Sequence, residues 1–77
     1  MNIYKTGEGK FVFKGDEALA EKLNGASYAD TDISDLRVTA DDLARLFAIA
    51  EKTGTVGNIK RYFALKDKYI KTYEAAE

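Results

Sequence analysis

The stretch from Asn58 to Tyr73, NIKRYFALKDKYIKTY, constrains the fold more than any other part of the chain. Ile59, Tyr62, Phe63, Tyr69, Ile70 and Tyr73 recur at steps of three, four and seven, which lines them along one stripe of a helix. Lys60, Arg61, Lys68 and Lys71 fall largely off that stripe. Asp67 precedes Lys71 by four residues, the favourable order for an ion pair along a helix. The spacing predicts a long helix with a core-facing stripe and a basic back. Tyr62, Tyr69 and Tyr73 stand where a purely buried seam would more often use Leu or Ile. A tyrosine hydroxyl needs a partner when buried, and tyrosine is enriched where one end stays wet. The edge formed by Tyr62, Tyr69 and Tyr73, with the neighbouring Lys60, Arg61 and Lys68, is therefore a candidate partner-binding surface.

What surrounds this helix must be small. The chain has 77 residues, enough for one domain over residues 1–77. A domain of that size buries only about 60–65% of its unfolded surface, so its stability margin is thin. It has no cysteine and no histidine. That removes disulfides, thiolate chemistry, the commonest metal ligand and the usual general base near neutral pH. Asp41 and Asp42 are adjacent, so their side chains diverge on a helix, and Ser27 and Ser34 lack a base. The expectation is a protein with no catalytic residues, no metal and no cofactor. No apolar run is long enough for a transmembrane helix, and no signal-peptide core is present, which reads as cytoplasmic with no membrane partner. Stability must come from aliphatic and aromatic packing or from a partner, including a second copy docked on the tyrosine edge.

The net charge of −1 conceals two poles. Residues 15–42 carry eight acids against Lys22 and Arg37, and residues 58–73 carry five bases against Asp67. The poles either face each other across the fold or meet different partners through electrostatic steering.

In chain order, Asn2–Lys5 and Lys10–Lys14 are short β-type runs around Thr6-Gly7-Glu8-Gly9, the pattern of a hairpin. Phe11 and Phe13 share one face, which Ile3 can meet. The Gly-x-Gly-Lys string at Gly7–Lys10 lacks the frame and the following hydroxyl of a phosphate loop. Gly15-Asp16-Glu17 opens a short helix, with Ala18, Leu19 and Leu23 as its apolar face and Asn24-Gly25 as its stop. Ala26–Val38 reads as a long ordered loop, with a third short strand near Leu36–Val38. Its acids Asp30, Asp32 and Asp35 form a second candidate partner-binding surface. Asp30-Thr31-Asp32 mimics the start of a calcium loop. Asp35, however, stands where that loop needs glycine, and Asp41 stands where it needs a bidentate glutamate. Thr39 then caps the strongest helix start in the chain, with Asp42 at the third helical position and Val38 as a staple toward Leu43. Leu43, Leu46, Phe47 and Ala50 give that helix its apolar face, and Gly54 ends it.

Residues Ala48 to Phe63, AIAEKTGTVGNIKRYF, resemble a bacterial helix-turn-helix. Ala50 lies four before the turn glycine, Gly54, and a helix with exposed bases follows. The family places aliphatic residues just after that glycine and six after it. Here those places hold Thr55 and Lys60, with Val56 and Ile59 each one step away. The resemblance implies a DNA-binding regulator using a helical pair within residues 43–73, with Lys60, Arg61 and Lys68 as contacts. The acidic balance of the whole chain points the other way.

Together these readings predict an α+β fold: an N-terminal hairpin packed on three helices, the last two an antiparallel pair. The expected core comprises Ile3, Phe11, Phe13, Leu19, Leu23, Leu43, Leu46, Phe47, Ile59, Phe63 and Ile70. The expected function is a non-catalytic protein–protein interaction module, an adaptor, accessory subunit or inhibitor, with nucleic-acid binding as the alternative.

Overall fold

The structure, a computed structural model, describes residues 2–73. Strands β1 (Asn2–Lys5) and β2 (Phe11–Lys14) form an antiparallel hairpin, with Ile3 opposite Phe13 and Tyr4 opposite Val12. Thr6 organises the turn: its N–H donates to Lys10 O at 2.8 Å, and its hydroxyl oxygen accepts from the backbone of Glu8 and Lys10. Alternation places Ile3, Phe11 and Phe13 half-buried against the core and leaves Tyr4 exposed. A lone hairpin is marginal in water, so this contact sustains it.

Helix α1 (Glu17–Leu23) buries Leu19 and Leu23; Ala18, expected on its apolar face, is exposed. Asn24 ends it in the left-handed region at φ 52°, donating its N–H to the carbonyls of Ala20 and Glu21. Helix α2 (Ala40–Thr53) starts as its sequence dictates. The Thr39 hydroxyl oxygen accepts from Asp42 N at 3.2 Å, and the Asp42 carboxylate turns back to accept from Arg37 N at 2.8 Å. Gly54 closes α2 at φ 66°, its N–H bonded to Ala50 O. Helix α3 (Val56–Tyr73) follows at once, and Ile59 N donates to Thr55 O, so helical bonding begins from Thr55.

α3 is the hub. It packs chiefly on α2 and also on α1. Phe11 and Phe13 of the hairpin meet Tyr69 edge-on at 5.0 and 6.1 Å, and Tyr28 of the 26–38 loop stacks on Phe63 at 5.7 Å. The Tyr73 hydroxyl donates to Val38 O at 2.9 Å, joining the last turn of α3 to the residues leading into α2. The two helices thus run alongside each other, antiparallel, over their length.

The core follows the sequence reading in part: Tyr62 and Tyr69 join it as well as Leu65, and Ile3, Phe11 and Phe13 are only half-buried against it. Leu65 is fully buried, because α3 is covered on more than one side and its apolar arc is wider than one stripe. Ile70 is only half-buried. The segment Leu36–Val38 forms no strand: Leu36 N donates to Ile33 O in a turn, Arg37 N to the Asp42 carboxylate of α2, and Thr39 N back to Arg37 O. Among the described residues no helix is long and apolar enough to cross a membrane.

Candidate docking face on the third helix

The tyrosines expected at the surface divide sharply. Tyr62 is fully buried, and its hydroxyl donates to Asp16 Oδ2 at 3.0 Å. The same oxygen accepts from Lys66 Nζ at 2.8 Å, and that ammonium also lies over the rings of Phe13 and Phe63. Burial, reinforced by the Asp16 charge, pushes the Tyr62 phenol well above its ordinary range. Tyr69 is buried under the hairpin phenylalanines, and burial raises its phenol too, with Tyr73 as a second cause. Only Tyr73 keeps substantial exposure, at 41%, with its ring 4.6 Å from Tyr69 and its hydroxyl tied to Val38. The tyrosine edge is therefore a single exposed ring, and Tyr62 and Tyr69 serve the interior. The reason is the partner each finds: a carboxylate for Tyr62, two aromatic rings for Tyr69.

The charged candidates divide in the same way. Arg61 donates to Asp35 Oδ2 at 3.0 Å and to Asp32 O at 3.3 Å, which ties the acidic loop to α3. The bond from Arg61 holds the Asp35 carboxyl below its usual range. Asp32 Oδ1 accepts from Ser34 N at 2.9 Å, and that backbone bond is the main reason its carboxyl is also lowered. Asp30 is exposed. At Arg61 the two charge poles do face each other. Lys60, half-buried, and Lys68 and Lys71, exposed, have no ion pair among the described residues.

The loop crosses α3 anchored at two points, Tyr28 on Phe63 and Asp32/Asp35 on Arg61. Beyond these anchors, toward the C-terminal half of α3, lies a groove of about 570 Å³. Tyr28, Thr31 and Ile33 form its loop bank; Ala64, Asp67, Lys68 and Lys71 form its α3 bank. The α3 positions are spaced three, four and seven apart, so one helical face supplies them all. Ala64 leaves room at the floor. Asp67 sits beside the Tyr28 phenol, which is raised by burial first and by the Asp67 charge second. The two lysines are exposed.

This groove lay outside the sequence reading. Its α3 bank was visible as a polar back, but its loop bank depends on where a 13-residue segment runs. The helix-turn-helix resemblance meets a different geometry. That motif crosses its helices at about 90–120°. Here the Tyr73–Val38 bond holds α3 alongside α2. Comparison with protein-family models, curated proteins and solved structures gives no match.

Proposed function

We propose that this chain is a non-catalytic protein-binding module of the cytoplasm, acting as an adaptor, accessory subunit or inhibitor, and that it docks through the outer face of α3. The observation that carries this reading is the groove between the 26–38 loop and α3, with Lys68 and Lys71 exposed along it. Arg61 and Lys66 are spent on Asp35 and Asp16 inside the fold. Among the described residues Lys68 and Lys71 have no such ion pair, and we take their charge as available for steering and pairing across an interface. The chemistry of the chain supports the same class, since it offers neither histidine nor cysteine to a reaction.

The test is affinity capture from the native host with the wild type and with Lys68→Glu/Lys71→Glu. Both lysines are exposed, so the double variant folds. A partner recovered stoichiometrically by the wild type and lost with the variant supports the reading. Equal recovery by both refutes this face as the docking surface. Retention on duplex DNA at physiological salt, lost in the same variant, would instead favour the regulator reading.

A further inference from the structure

The groove also specifies what it takes. Its lining is mixed: Tyr28, Ile33 and Ala64 supply apolar surface, and the exposed Lys68 and Lys71 stand one helical turn apart. The apolar part suits one inserted aliphatic or aromatic side chain. The lysines suit one or two carboxylates held beside it. Asp67 adds a negative charge on the same bank, engaged with the Tyr28 phenol, and Asp30, Asp32 and Asp35 border the loop.

Resting on the docking reading above, we propose that the occupant is an extended peptide segment of a partner protein carrying a carboxylate next to an apolar side chain. The segment lays the apolar group over Ala64 between Tyr28 and Ile33. Its carboxylate pairs with Lys68 and Lys71. A nucleic-acid backbone fits less well. It presents regularly spaced phosphates and gains affinity from about 6–10 basic contacts. This face offers Lys68, Lys71 and the half-buried Lys60, with carboxylates on both sides. A short acidic segment concentrates its charge at the lysines and places none against Asp30 or Asp32.

Selection from a random dodecapeptide library displayed on phage, with the full chain as bait, tests the assignment. The expected enrichment is of peptides with Asp or Glu within two positions of Leu, Ile, Phe or Tyr. A synthetic peptide from that pool shifts backbone amide resonances of residues 27–33 and 64–71 in the wild type. Its affinity falls at least tenfold for Lys68→Glu/Lys71→Glu and at least threefold when its acids become amides. Ile33→Ala, which keeps both lysines, weakens it as well. Enrichment of neutral or basic peptides, no enrichment, unchanged affinity for the double variant, or shifts elsewhere on the molecule each overturn the proposal. Displacement of the peptide by duplex DNA at physiological salt makes the lysines a phosphate site and overturns it also. Host capture without acidic peptide selection leaves the docking reading standing and removes only this assignment. Equal host recovery by the wild type and the double variant removes the docking reading, and this assignment with it.

Discussion

Replacing Asp16 with alanine perturbs the fold at a buried carboxylate oxygen that two side chains share. Asp16 is only 6% exposed, and its Oδ2 accepts from both Tyr62 and Lys66. Asp16→Ala takes an acceptor away from a fully buried phenol and from a largely buried ammonium. Removing one member of a buried ion pair costs about 3–5 kcal/mol, and taking the acceptor from a buried hydroxyl about 1–3 kcal/mol. The two overlap at one atom and water reaches Lys66 in part, so a net loss of about 3–4 kcal/mol is expected. A chain of this length has about 4–11 kcal/mol in total. Urea denaturation followed by far-ultraviolet circular dichroism measures the loss. With a slope of about 1 kcal/mol per molar, the midpoint falls by about 3 M or the variant is unfolded without urea. Tyr62→Phe keeps the ring and removes the bond to Asp16, so it costs about 1–2 kcal/mol. The triple variant Asp16→Ala/Tyr62→Phe/Lys66→Met removes both donors as well and recovers part of the loss. A midpoint for Asp16→Ala within about 0.5 kcal/mol of wild type would refute the reasoning.

Other perturbations have separate readouts. Phe47, buried and edge-on to Tyr62 at 5.7 Å, should cost about 3–5 kcal/mol as alanine, read as a large fall in melting temperature; an unchanged melting temperature contradicts its place in the core. Gly54→Ala forces a side chain into φ 66°, where the added Cβ comes within 3.4 Å of the mobile end of Lys22, so backbone strain of about 1–2 kcal/mol dominates; equal stability would show that the cap adjusts. The Asp35 carboxyl, lowered by Arg61, contributes stability that is present above the ordinary carboxylate range near pH 4 and lost as pH falls through its own lower value. Carbon-13 titration should place its midpoint below that of an unpaired aspartate, with loop amides losing exchange protection in the same interval; an ordinary midpoint would mean the Arg61 tie is absent in solution.

The sequence marked most element boundaries because their causes are local. Thr39 with Asp42 fixes the start of α2, Gly54 its end, and Thr6 to Gly9 the hairpin turn. The fold class follows from these. Depth was not legible in the same way. Periodicity identifies a stripe but not how many neighbours cover it, so neither the full burial of Leu65 nor that of Tyr62 can be read from spacing. The partner of Tyr62 lies 46 residues away, at an acid that reads locally as helix-start electrostatics. Asp16 in fact makes no side-chain capping bond to α1, and its carboxylate points inward to α3. The groove was hidden for the same reason. Lys68 reads from the sequence as a candidate contact and Lys71 as part of a basic back, and only the path of the loop across Ala64 turns that back into a bank.

The position of the hub in the chain has a consequence for how the molecule comes into being. Hairpin, first helix and acidic loop each close onto residues beyond position 60, so none of them owns an interior while synthesis is still short of that point. Tyr28, Phe11 and Phe13 must wait in water for the rings of Phe63 and Tyr69. Until those rings are made, the hairpin and the 26–38 loop lack the α3 aromatics that cover them and stay open to proteases and chaperones.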